Sequence, residues 1–156
     1  MRNSDIKTML IRHTGIVVKN LKKEIKFYEK FGLKILKEDL EKGEFISTIL
    51  GNEVEVKTCK LTEQIELLQY IKGHGENHIA FTIDNEDDFK KLKLISKPQI
   101  SPDGKVKVAF GYDPEHNLIE LVYEIPRSNI QRQAEDAIPF PTMSTYKTTV
   151  GLGNWC

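Results

Sequence analysis

The chain states one pattern twice, and that duplication limits its fold more than any other feature. His13-Thr14-Gly15-Ile16-Val17-Val18-Lys19-Asn20 is echoed by His78-Ile79-Ala80-Phe81-Thr82-Ile83-Asp84-Asn85. Ile65-Glu66-Leu67-Leu68 is echoed by Ile119-Glu120-Leu121-Val122. Each copy opens with a histidine on an expected strand and closes with a glutamate on another. Two copies supply two imidazoles and two carboxylates, enough to hold one divalent metal ion.

The local pattern predicts the elements between those landmarks. Residues 11–18 are apolar and rich in β-formers, and read as a strand. Asn20 is placed to cap the helix that follows, with Glu24 in its first turn. Leu21, Ile25, Phe27 and Tyr28 give that helix an apolar face, and Gly32 suits the position just past its end. Residues 33–40 return as a strand. Residues 45–50 fit either a strand or a short helix ending at Gly51. Val54 and Val56 alternate with Glu55 and Lys57 as a half-buried strand, and residues 64–70 form another.

Gly73 and Gly75 mark a linker, with His74 between them expected to be exposed. The second copy then runs through a strand over 77–84 and a helix over 86–92 capped by Asn85. A poor strand over 95–100, interrupted by Pro98, leads to a turn at Ser101-Pro102-Asp103-Gly104. Strands over 105–112 and 118–123 close the copy. Each half reads βαβββ, so the fold class is α+β. Residues 1–125 are expected as one domain, with modules over 9–72 and 76–125. The tail over 126–156 contains Pro139, Pro141 and the only tryptophan. It has no clear period and receives no assignment.

Strand alternation places Glu66 on the face opposite Ile65 and Leu67, and Glu120 opposite Ile119 and Leu121. A carboxylate inside an apolar run is costly to bury unless it is paired, hydrogen-bonded or bound to a cation. One such glutamate is equally read as facing water, and one strand histidine as structural. Finding both in both copies favours a metal site. A mixed imidazole and carboxylate set suits Zn, Ni, Co, Mn or Fe(II) better than Ca. Four protein ligands in a six-coordinate site leave two positions for a small molecule with adjacent oxygens. The metal then acts as a Lewis acid toward an enolate or enediolate, and a ligand glutamate serves as base.

Bulk properties exclude other classes. With 156 residues and 39% hydrophobic content, the chain supports one domain with a core. Formal net charge is zero, so no basic stripe argues for nucleic acid. No run approaches a membrane span, and residues 1–10 lack a signal-peptide core. Cys59 and Cys156 are too few for a disulfide framework, which makes a reducing cytoplasm the expected compartment. No Walker loop, HExxH or Ser-His-Asp signature is present. Gly151-Leu152-Gly153 is an isolated GxG. Arg12 and Arg127 are read as surface ion-pairing residues.

The segments HTGIVVKNLKKEIKFYEKFGLKI, QIELLQY, ENHIAFTI and AFGYDPEHNLIELVYE resemble the vicinal oxygen chelate superfamily, which includes glyoxalase I, methylmalonyl-CoA epimerase, extradiol dioxygenases and bleomycin-resistance proteins. The resemblance implies two βαβββ modules paired into a curved half-barrel sheet around a metal cleft, and a short helix over residues 45–50. Its metal ligands fall on His13, Glu66, His78 and Glu120, a set similar to that of glyoxalase I. It implies Glu120 as the catalytic base, with Glu66 next in line, and a homodimer. His116 stands where many relatives have Gly in a DPxGN turn, and is read as a turn substitution. The expected activity is a glyoxalase-like lyase or isomerase. A metal-free small-molecule binding or resistance protein and an Fe(II) extradiol-type dioxygenase are the alternatives.

Overall fold

The computed structural model describes residues 9–127. Nearly all of the tail, including Gly151, Gly153 and Cys156, therefore lies outside the described residues. The elements run β1 (Leu10–Val17), α1 (Leu21–Glu29), β2 (Lys37–Lys42), α2 (Glu44–Leu50), β3 (Glu55–Thr62) and β4 (Ile65–Lys72). They continue with β5 (His78–Ile83), a 3-10 helix (Glu86–Lys91), β6 (Lys93–Leu94), β7 (Gln99–Ile100), β8 (Val106–Tyr112) and β9 (Leu118–Glu124). The nine strands form one curved, unclosed sheet in the order β2-β3-β4-β1-β5-β9-β8-β6, with β7 also on β8. No helix among the described residues is long and apolar enough to cross a membrane.

The repeated sequence becomes a repeated register. β1 lies parallel to β4 with Gly15 beside Glu66, and β5 lies parallel to β9 with Ala80 beside Glu120. In each copy the glutamate therefore neighbours the small residue two positions after the histidine. The halves join where β1 runs antiparallel to β5, with His13 opposite Ala80 and Gly15 opposite His78. Directly paired residues share a face of the sheet. His13, Glu66, His78 and Glu120 therefore all point to the same side.

Apolar packing covers both faces of the sheet. On the opposite face, Leu21 and Ile25 of α1 pack with Cys59, Leu61 and Leu67, joined by half-buried Tyr28. Phe89 of the 3-10 helix packs with Ile83, Ala109 and Leu121. On the face of the four polar side chains, Ile46 and Ile49 of α2 pack with Val54, Val106, Val108, Phe110, Leu118 and Val122. This third cluster occupies one end of that face.

Several expectations are refined. Residues 44–50 are helical: Ile46 and Ile49 are buried one turn apart, and Gly51 ends the helix at φ +78°. Asn20 caps α1 by accepting from the Lys23 backbone N–H at 3.1 Å. Phe27 is not part of its core face. It is 47% exposed, because residues 21, 25 and 28 form one helical stripe and residue 27 falls off it. The strand expected from residue 33 begins only at Lys37, although Leu36 N–H already donates to Lys60 O. The helix expected over 86–92 is a 3-10 helix, closed by Asp88 N–H to Asn85 O. Of the poor strand expected over 95–100 only Gln99–Ile100 (β7) is strand, and a second short piece, β6, lies just before that stretch at Lys93–Leu94.

Candidate metal centre

The four polar side chains are sealed from solvent at the junction of the two halves. His13 is 1% exposed, Glu120 2%, Glu66 3% and His78 8%. Glu120 Oε1 lies 3.3 Å from His13 Nε2 and 3.2 Å from His78 Nε2. The two Nε2 atoms are 3.2 Å apart. The ligating atoms of these three residues all fall within 4.8 Å of one another. Glu66 stands back from them, with Oε2 3.6 Å from His13 Nε2. That oxygen is buried without a hydrogen-bond partner.

The arrangement fits a divalent cation. Two imidazole nitrogens facing each other cannot both carry a proton, but both can direct lone pairs at a metal. His78 Nδ1 lies 3.3 Å from Glu76 O, a contact that keeps the proton on Nδ1 and leaves Nε2 as the lone-pair nitrogen. A cation would also satisfy the orphaned Glu66 Oε2. Nitrogen and carboxylate donors of this kind match Zn, Ni, Co, Mn or Fe(II).

The charges differ sharply between the two glutamates. Burial pushes the Glu120 carboxyl up, but hydrogen bonds and charge from His13 and His78 outweigh it and hold Glu120 well below the usual carboxylate range. Burial pushes Glu66 up to about 7, with His13 pulling it down and Glu120 pushing it up. Burial lowers His78, yet hydrogen bonding and charge from Glu120 raise it overall. Glu120 is thus the firmly ionised member and Glu66 the weakly held one.

A family model for the Glyoxalase/Bleomycin resistance protein/Dioxygenase superfamily matches residues 10–121. The chain belongs to that superfamily. It is 32% identical to the lactoylglutathione lyase of Schizosaccharomyces pombe, over 81% of this chain and 52% of that protein. The chain therefore spans about half the length of this relative. It is 27% identical to a probable trivalent organoarsenical cleaving enzyme of Bacillus subtilis, over 78% of this chain and 84% of that protein. Among solved structures it resembles methylmalonyl-CoA epimerase from Mycobacterium tuberculosis, with TM-score 0.53 and 16% identity, covering 78% of this chain and 93% of the other.

Within this superfamily fold, residues with little sequence signal lie on the same face as the cluster. A Cβ at Gly15 would overlap the His78 ring, so only glycine lets that imidazole lie across β1. The one available signal was a glycine inside a strand, which marks close approach. Phe110 holds the His78 ring edge-on at 5.3 Å between centroids. Glu41 is buried on β2, where its charged neighbours in Lys-Glu-Asp-Leu-Glu-Lys make it read as solvated.

Other candidates play quieter parts. Arg12 pairs with Glu124 at 2.9 Å and donates to Thr82 Oγ1 at 3.3 Å. His116 is a turn residue at φ +68°, stacked on Tyr112 at 3.8 Å. His74 is exposed, and its backbone N–H and C=O are both held by the Asn52 side chain.

Two outcomes follow from this geometry. Gly15→Ala should displace the His78 ring and weaken Co²⁺ or Zn²⁺ binding by roughly 10–100-fold, the scale for residues that orient a ligand. Circular dichroism should show the fold retained, and unchanged affinity by calorimetry would remove this role for Gly15. The second outcome concerns pH. Glu66 titrates near 7 when folded against an ordinary 4.5, and His78 is raised above its ordinary 6.5. The folded metal-free protein then binds more protons than the unfolded chain above pH 4.5, so stability should fall as pH rises from there through about 7. Chelator-treated protein should melt lower at pH 8 than at pH 5. Saturating Zn²⁺ should oppose that trend, since it binds the deprotonated ligands. A metal-free midpoint that rises with pH contradicts the assignment.

Proposed function

We propose that this chain is a metal-dependent lyase or isomerase that moves a proton at a carbon next to a carbonyl. The carrying observation is the buried triad of His13, His78 and Glu120 with a fourth carboxylate, Glu66, standing off beside it. These four residues would hold the divalent ion, which when bound supplies Lewis-acid stabilisation of negative charge on the substrate's oxygens. The relative named lactoylglutathione lyase supports the reaction class.

The protein groups divide the remaining work. His13 and His78 present their Nε2 atoms to one point, with the His78 ring oriented by Glu76 O. Glu120, held by both imidazoles, is the anchoring carboxylate. Glu66 is paired with His13 at the longer distance. It is the carboxylate free to swing toward a carbon-bound proton and accept it. Family resemblance ranks Glu120 first as base and Glu66 second; in this reading the distances favour Glu66. The Bacillus subtilis relative supports a second reading, cleavage of a trivalent organoarsenical. Release of inorganic arsenic from such a compound would select it.

Metal analysis of protein purified without added metal should find about one Ni, Co, Zn, Mn or Fe per chain, lost in His13→Ala and His78→Ala. Solvent-deuterium exchange across a panel of 2-oxo acyl thioesters and α-hydroxy carbonyl compounds reads the proton step. Glu66→Gln should lower exchange by roughly 10²–10⁴ while keeping metal, and Glu120→Gln should weaken metal binding. If Glu120→Gln keeps its metal and loses exchange, Glu120 is the base. No bound metal, even after addition, would leave the metal-free binding protein in its place.

The homodimer belongs to the same proposal, since β2 leaves an open sheet edge with Leu36 and Leu40 exposed. Light scattering of the full chain at micromolar concentration should give twice the monomer mass, and a monomer would remove the dimer.

A further inference from the structure

Among the described residues, Glu41 is the one other buried carboxylate on the face of the metal centre. It is 3% exposed, and its side chain makes no hydrogen bond or ion pair with any described residue. The register fixes where it looks. Glu41 pairs with Val56 across β2 and β3, and Val56 pairs with Tyr70 across β3 and β4. Tyr70 and Glu66 lie four residues apart on β4 and share a face. Glu41 and Tyr70 therefore form one row across three strands, on the side to which His13, Glu66, His78 and Glu120 point. The Tyr70 hydroxyl also has no hydrogen-bond partner among the described residues.

A buried carboxyl without a partner is costly to hold in such a place, and beside it stands the half-buried Tyr70 phenol. Burial first, then the charges of Glu66 and Glu120, raise Glu41 well above the usual carboxylate range. Burial, and then the charges of Glu41, Glu120 and Glu66, push the Tyr70 phenol well above its usual range. Tyr70 keeps its proton at neutral pH and is an O–H donor without an acceptor, and burial shifts Glu41 toward its protonated, donating form. Neither makes a side-chain hydrogen bond to another described residue.

We propose that Glu41 and Tyr70 form a hydrogen-bonding subsite for a substrate oxygen that the metal does not take up, a carbonyl or carboxylate oxygen of the bound small molecule. This assignment rests on the metal-site reading and adds a requirement to it. The substrate must offer an acceptor oxygen beyond the pair that binds the ion. A merely structural role makes the opposite demand, since replacing an unpaired buried acid by an apolar side chain of similar shape would then be neutral or stabilising.

Oxalate tests this, because two of its oxygens can chelate while the other two remain free to accept. The full-length chain is loaded with Co²⁺, whose visible spectrum reports metal binding, and titrated with oxalate. Tyr70→Phe and Glu41→Met remove the donors and should each weaken oxalate by roughly tenfold or more, the scale of a hydrogen bond to a charged group. Glu41→Gln retains a donor and should stay within about threefold of the parent. Co²⁺ affinity should be unchanged in all three. Where Glu41→Met does not fold, Tyr70→Phe decides. If the parent Co²⁺ form does not bind oxalate, or Tyr70→Phe binds it as the parent does, the subsite is overturned while the metal reading stands. If Co²⁺ does not bind the parent, the metal reading falls, and the subsite with it.

Discussion

The antiparallel pairing of β1 with β5 is the contact on which the rest of this site depends. It places His13 opposite Ala80 and Gly15 opposite His78, so two histidines far apart in sequence meet with Nε2 atoms 3.2 Å apart. The two parallel pairings then carry one glutamate each into the same place, beside Gly15 and Ala80. A slip of one residue at the β1–β5 joint would turn one histidine to the helix-covered face. The joint carries an irregularity between Ile11 and His13, at Arg12, whose bonds to Thr82 and Glu124 tie it to the second half. An exposed ion pair of this kind is worth little in energy. Its place beside His13 gives it a bearing on register.

The second constraint is desolvation. Glu41, Glu66, Glu120, His13 and His78 are all buried on one face, next to an apolar cluster that includes Phe110 and Leu118. Among the described residues, only Glu120 of the three carboxylates finds good partners, the two imidazoles. Glu66 and Glu41 do not, and their raised proton affinities express that deficit. Folding alone would favour apolar residues there. Function is the ready physical reason for keeping polar groups in such positions, and superfamily membership agrees with it.

Legibility in the sequence followed the contrast between a residue and its neighbours. Glu66 and Glu120 were visible because each interrupts an apolar run, and the repeat drew His13 and His78 into the same set. Glu41 was invisible because its strand is charged throughout, so nothing marked the one carboxylate that packs inward. Phe27 misled for the inverse reason, an apolar residue just off the helical stripe of Leu21, Ile25 and Tyr28. Residues 45–50 were ambiguous because six apolar-rich positions satisfy either period. Packing of Ile46 and Ile49 against β-strands of the second half settled them as a helix.

The sequence by itself determined the duplicated βαβββ plan, the α+β class and the identity of the four residues that share a face. Those follow from period, repeat and alternation, which are local properties of a chain. The tertiary structure alone decided that the β1–β5 joint brings the two histidines together. It also decided that three cluster while Glu66 stands back, that Gly15 must lack a side chain, and that Glu41 and Tyr70 look onto the same face. Each of these is a relation across strands distant in sequence, set by register and by what each strand packs against, and no local pattern encodes it.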